Sequence, residues 1–142
     1  MQITGFDISG PLLITPRIFP DARGTFMESY KAGVFNEAAG EDIAFVQDNQ
    51  SYSAKAGTVR GLHYQAPPHA QGKLVRCLRG RIVDVAVDVR SGSPTYGQHV
   101  RAELSPKNAA QLWVPAGFLH GFVTLEPDTE VLYKVTDIYA KD

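Results

Sequence analysis

Apolar and polar residues alternate with period two along most of this chain, and helical spacing is nearly absent. In RIVDVAVDVR (Arg81–Arg90), Val83, Val85, Val87 and Val89 share one face, while Asp84, Ala86, Asp88 and Arg90 share the other. In HGFVTL (His120–Leu125), His120, Phe122 and Thr124 point one way and Val123 and Leu125 the other. Tyr133 lies on the face of Val131 and Val135. Turn signals separate these runs at Asp21–Gly24, Pro67–Pro68, Ser91–Pro94, Pro115–Gly117 and Glu126–Asp128. One helix is predicted over Lys31–Gly40, with Gly40 placed to end it. A single turn is predicted at SPKNAAQ, capped by Ser105 with Pro106 in its first turn.

Short strands joined by tight corners predict an all-β fold of antiparallel strands with one or two short helices. A double sheet or barrel with jelly-roll or cupin closure is the economical form. At 142 residues the chain reads as one domain, 1–142, long enough to bury a core. Apolar residues make up 44% and charged residues 20%, as in a soluble globular protein. The net charge of −1 gives no overall basic field for nucleic acid or a membrane surface, so any anion binding must be local. Cys77 is the only cysteine, which excludes an internal disulfide and fits a reducing compartment. It sits in an apolar run and reads as a small core residue. MQITGFDISG lacks the basic and apolar regions of a leader, and no run is long enough to span a bilayer; the expected location is the cytoplasm.

The segment GTVRGLHYQAPPHAQGKLVRCLRG (Gly57–Gly80) sets Arg60, His63, Lys73 and Arg76 close together with no acidic residue among them. A metal site is the first explanation to weigh. PAGFLH (Pro115–His120) has the Pro-x-Gly-x-x-His form of a second cupin motif. The first motif, however, reads HYQ, with Gln65 where a second histidine would stand. His63 and His120 alone fall short of the three or four ligands zinc or iron requires, so no metal is expected. The plain alternative is that both are hydrogen-bonded core histidines. Their company favours chemistry, because a cavity holding imidazole, phenol and cations packs poorly.

An imidazole can take a carbon-bound proton near neutral pH, and a phenol can return one from elsewhere in the cavity. A lysine ammonium can hold the enolate oxygen formed between those steps, and arginines suit a diphosphate. The set fits proton abstraction beside a ketone on a phosphorylated substrate, with the carbonyl as electron sink and no cofactor. Strict alternation puts Arg60 opposite His63; a bulge at Gly61 would bring both inward.

FPDARGTFMESY (Phe19–Tyr30), FVQDNQSYS (Phe45–Ser53), GTVRGLHYQ, QGKLVRCLRGRIVDVAVDVR, SPTYGQ, WVPAGFLHGFVTL and TEVLYKVTDIY follow one another in order from about Thr4 to Tyr139. Together they strongly resemble the dTDP-4-dehydrorhamnose 3,5-epimerase family. The resemblance implies a homodimeric cupin-type jelly roll that epimerises dTDP-4-dehydro-6-deoxy-D-glucose at C3 and C5 to dTDP-4-dehydro-L-rhamnose. That reaction feeds L-rhamnose and surface polysaccharide. It implies His63 as base, Tyr133 as acid on the opposite sugar face and Lys73 as support for the C4 enolate. Arg23, Glu28, Gln47, Asp48, Asn49, Arg60 and His120 match nucleotide and diphosphate contacts, and Tyr139 matches an aromatic that stacks on thymine. Arg23 and Glu28 would reach the neighbouring subunit through exchanged N-terminal strands.

Each residue also has an ordinary role open to it. DARG can be a turn, Glu28 a surface charge, Tyr139 a rim aromatic, and Phe26 either site wall or core. Gln47 and Asn49 share a face that is either interior or solvated. The family normally continues past the equivalent of Asp142, and that segment carries the carboxylate that pairs with the catalytic histidine. Asp84 and Asp88 are candidate substitutes, read here as structural residues that face the interior or pair with Arg76 and Arg90. The rival functions are a 3-only or 5-only epimerase on a related nucleotide sugar, and a catalytically weak sugar-nucleotide-binding cupin.

Overall fold

The structure, a computed structural model, describes residues 1–138. In chain order the elements are β1 (Gln2–Gly5), β2 (Leu12–Thr15), β3 (Phe19–Asp21), β4 (Gly24–Phe26), α1 (Ala32–Ala39), β5 (Gln47–Ser53) and β6 (Val59–His63). There follow β7 (Lys73–Arg79), β8 (Ile82–Asp88), β9 (His99–Leu104), β10 (Gln111–Val114), β11 (Phe118–Thr124) and β12 (Thr129–Val135). Six strands form one sheet in the order β1-β2-β10-β7-β12-β5, and four form a second in the order β6-β11-β8-β9. Every strand pair is antiparallel. This is the cupin-type all-β architecture that the alternation predicts, with a single helix among the described residues.

The core between the sheets includes Val75, Ile82, Ala86, Leu104, Leu112 and Val131, all fully buried. On β8 the inward face carries Ile82, Asp84, Ala86 and Asp88, while Val83, Val85 and Val87 are only half-buried. The carboxylate face is therefore the inner one, and Asp88 both faces the interior and pairs with Arg90. Asp88 can sit there because it accepts hydrogen bonds from Arg90, Ser93 and Thr95. A second cluster of Ile14, Phe35, Leu74 and Trp113 packs α1 on the outside of the larger sheet. Phe35 meets Trp113 edge-on at 5.1 Å.

Both helix-end expectations hold. Gly40 closes α1 at φ 76°, its N–H donating to the carbonyl of Asn36. Ser105 Oγ accepts from the Asn108 amide at 3.1 Å, while Asn108 Oδ1 accepts from the Ser105 amide, so this segment is one reciprocally capped turn. The Cys77 thiol is buried and donates to the carbonyl of Arg79; burial pushes its pKa up to about 11, as befits a core residue. Among the described residues no helix is long and apolar enough to cross a membrane.

Candidate active site

A cavity of about 510 Å³ opens between the two sheets. The smaller sheet supplies Arg60 and His63 from β6 and His120 and Phe122 from β11. The larger sheet supplies Asn49 and Ser51 from β5, Lys73 from β7 and Tyr133 from β12. Imidazole and phenol thus enter one space from opposing walls.

The register of β6 against β11 explains how Arg60 and His63 reach the same cavity. His63 pairs with His120 and Arg60 with Phe122, so Gly61 and Leu62 together face the single residue Gly121. This is the expected bulge. Gly61 adopts φ +111°, and a Cβ there would lie 2.7 Å from both Gly121 Cα and the His120 carbonyl oxygen. Only glycine fits.

His120 forms part of the cavity wall, with Asp84 buried behind it. His120 Nε2 lies 2.7 Å from Asp84 Oδ1, with both residues buried. The second oxygen of Asp84 has no hydrogen-bond partner among the described residues. Lys73 is buried as well; desolvation pulls its pKa below the ordinary lysine range, and the field of Asp84 partly opposes this. Asp84 therefore acts on one of the cations that look uncompensated in the sequence. Asp84 is engaged with His120 and Asp88 with Arg90, so neither acid considered as a substitute carboxylate pairs with His63.

Arg60 has no carboxylate partner among the described residues. Its Nε donates to Ser53 Oγ at 3.0 Å and its Nη2 to the Tyr52 carbonyl at 2.8 Å. Arg76 does not join this group. Lys73, Val75 and Cys77 point inward along β7, and period two sends Arg76 outward, beside a smaller recess of about 120 Å³ shared with Lys134 and Gln111. Gln65, at the position of the missing metal-motif histidine, donates to the backbone carbonyls of His69 and Ile138. Gln71 donates to the carbonyl of Asp137, and His69 Nδ1 lies 3.3 Å from the Asp137 carboxylate. These contacts tie the chain leaving β12 to the cavity rim.

Of the residues expected at the site, the structure brings together Asn49, Arg60, His63, Lys73, His120 and Tyr133. Gln47 lies on the same strand face and donates to Asn49 Oδ1 at 2.7 Å, beyond the cavity lining. Asp48 points the other way and pairs with Lys134 at 3.2 Å. Arg23, Phe26 and Glu28 do not line the cavity of their own chain. Among the described residues the β3–β4 hairpin ladders only with itself and is exposed along its length; Arg23 bonds Asp21 there, and Phe26 is 65% exposed. Tyr139 lies outside the described residues. The sequence reading missed Ser51, Ser53 and Gln71, as well as the pairing of Asp84 with His120. Extending the Gln47–Asn49 alternation by four residues would have found both serines.

The family model described as dTDP-4-dehydrorhamnose 3,5-epimerase matches residues 5–142. An enzyme of that name from Sinorhizobium fredii is 56% identical over 142 residues, 100% of this chain and 72% of its own. The crystal structure of dTDP-4-dehydrorhamnose 3,5-epimerase from Bacillus anthracis, with TDP and pyrophosphate bound, superimposes with a TM-score of 0.95 at 49% identity. That match covers 99% of this chain and 80% of the other. A Legionella pneumophila epimerase in complex with dTDP-4-keto-L-rhamnose matches with a TM-score of 0.93 at 47% identity, covering 98% of this chain and 73% of the other. Matched by the family model over residues 5–142 and 47–56% identical to these enzymes over nearly its whole length, the chain belongs to the dTDP-4-dehydrorhamnose 3,5-epimerase family.

Proposed function

We propose that this chain is a cofactor-independent isomerase that inverts C3 and C5 of a deoxythymidine-diphosphate 4-keto-6-deoxy sugar, the step leading towards L-rhamnose. One observation carries the proposal: His63 and Tyr133 line the same cavity from opposite sheets, with buried Lys73 between strands that feed it. His63 takes the proton from the carbon beside the C4 ketone, the C–H bonding pair becomes a carbon–carbon double bond to C4, and the carbonyl π pair moves onto oxygen as an enolate. Lys73 stabilises that oxygen. Tyr133 delivers a proton to the other face of the carbon, the enolate collapses to the ketone, and the configuration is inverted. Solvent exchange then restores the proton to Tyr133 and removes one from His63. The same cycle at the second carbon completes the reaction.

Arg60, Asn49 and His120 face the substrate side of the cavity and suit its diphosphate and nucleotide portions. Arg23, Phe26 and Glu28 act in the cavity of a second copy. Among the described residues the β3–β4 hairpin that carries Arg23 and Phe26 ladders with no other strand, and Leu62 on β6 is a large apolar side chain left exposed for such a copy to cover. The working protein is then a cytoplasmic homodimer. Mixing His63→Ala and Arg23→Ala protomers tests this, since a hybrid dimer recovers one intact site and part of the activity that each variant has lost.

The direct test is proton exchange followed by NMR with dTDP-4-dehydro-6-deoxyglucose in heavy water. Deuterium entering at both C3 and C5 is expected. Entry at one carbon alone would reduce the proposal to a mono-epimerase, and none would overturn it. His63→Ala should abolish exchange while leaving dTDP affinity within a few-fold. Tyr133→Phe should still admit deuterium through His63 but yield little inverted product.

A further inference from the structure

The two sheets of the sandwich meet along a seam where edge strands β5 and β6 form no backbone ladder with each other. Arg60 crosses that seam. Its Nε–H reaches Ser53 Oγ at 3.0 Å and one Nη2–H reaches the Tyr52 carbonyl at 2.8 Å, so one edge of the guanidinium is fixed to β5. A guanidinium has five N–H donors in a rigid plane. The two bonds to β5 leave three, and the Nη1/Nη2 edge retains a parallel pair that matches two oxygens of a phosphate. No acid neutralises Arg60 among the described residues.

Ser53 is well placed to hold this geometry. It is 3% exposed, sits at the end of β5 and pairs in register with fully buried Thr129, so its Cα is fixed by the ladder to β12. Arg60 itself is solvent-exposed and flanked by the Gly61 bulge, where the backbone alone would not determine the direction of a long side chain. Of its two acceptors the carbonyl is present whatever residue stands at position 52, while the hydroxyl depends on Ser53.

We infer that Ser53 is a positioning residue which, through its hydroxyl, aims the free edge of Arg60 at the diphosphate of the substrate. This rests on the nucleotide-sugar reading of the cavity and adds a residue to it. Ser53 touches no substrate; it fixes the guanidinium plane, so binding rather than proton transfer depends on it.

The experiment is a double-mutant cycle on binding, read by calorimetry with dTDP and with thymidine. Ser53→Ala should weaken dTDP by about tenfold, equivalent to about 1.4 kcal/mol, and leave thymidine unchanged. In the Arg60→Ala background the same change should have no further effect on dTDP. With the sugar nucleotide, KM should rise while kcat stays within a few-fold, and Ser53→Thr, which keeps the hydroxyl, should restore most of the loss. A merely structural serine would instead lower the affinity for both ligands together, and its effect would add to that of Arg60→Ala; either result overturns the inference. If Arg60→Ala weakens dTDP but Ser53→Ala does not, the role of Ser53 fails alone. If Arg60→Ala leaves dTDP binding intact, the diphosphate reading of the cavity fails first.

Discussion

His120 Nε2 and Asp84 Oδ1 lie 2.7 Å apart at the cavity wall, with 4% and 0% of their residues' surfaces exposed. A buried pair of this kind is expensive to break from one side, because the remaining group is left in a dry environment. Asp84→Ala should lower stability by about 2–4 kcal/mol, or about 10 °C in melting temperature for a chain of this size. Asp84→Asn, which keeps an acceptor for His120, should lose less. Thermal melts of the two variants check this; an Asp84→Ala protein that melts with the wild type would show that the couple contributes nothing net.

Lys73 lies in the folded state below the ordinary lysine range because burial disfavours its charge, with Asp84 opposing only in part. Wherever both folded and unfolded chains carry the proton, the folded chain bears the whole penalty of burying that charge. The penalty is relieved as pH rises through the lowered folded value towards the ordinary one. Lys73→Met should therefore melt a few degrees above the wild type at neutral pH, with the gap narrowing towards about pH 10. Turnover should fall strongly in the same variant, since the enolate loses its cation. Calorimetric melts at the two pH values, paired with an epimerisation assay, measure both effects.

Asp88 has the opposite sign. The side-chain hydrogen bond from Arg90 is the largest of the causes that hold its carboxyl below the usual carboxylate range, and bonds from Ser93 and Thr95 add to it. This stability is present above the unfolded pKa of about 4 and is lost as pH falls below it. Asp88→Asn should cost about 3 kcal/mol at neutral pH. Melts run down the acid range should show the wild type and the variant converging; a constant gap would contradict the assignment.

Gly61 is the hinge on which Arg60 and His63 share one cavity. A methyl group at this position meets Gly121 Cα and the His120 carbonyl at 2.7 Å, and φ +111° is unfavourable for any side chain. Gly61→Ala should destabilise the fold by about 3 kcal/mol or more and remove activity even where the protein still folds, because β6 must leave its register with β11. Melting and proton-exchange assays on the variant check the two parts separately. Near-normal exchange would mean that the bulge is not needed to direct His63.

Much of this molecule could be read from local pattern. Period two placed His120, Phe122 and Thr124 on one face and Tyr133 with Val131 and Val135, and all of these keep their sides in the fold. Gly40 and Ser105 act locally, so their roles needed no tertiary information. Even the Gly61 bulge was legible, because a glycine between two residues that must face the same way leaves few alternatives.

Tertiary structure decided which face was inside and who met whom. Alternation on β8 separates valines from aspartates but carries no sign; Asp84 and Asp88 face inward because β11 and the loop after β8 bring His120, Arg90, Ser93 and Thr95 to satisfy them. Arg76 is three residues from Lys73, yet sheet pairing puts it on the outer surface. Ser53 and Arg60 are seven residues apart, and their contact exists only because β5 and β6 end on two different sheets that close over one cavity. Strand period is set by the backbone of each segment, so the sequence by itself determined the elements and their two faces. Strand order and register are set by the burial of the whole chain at once, so only the fold could assign each polar side chain its partner.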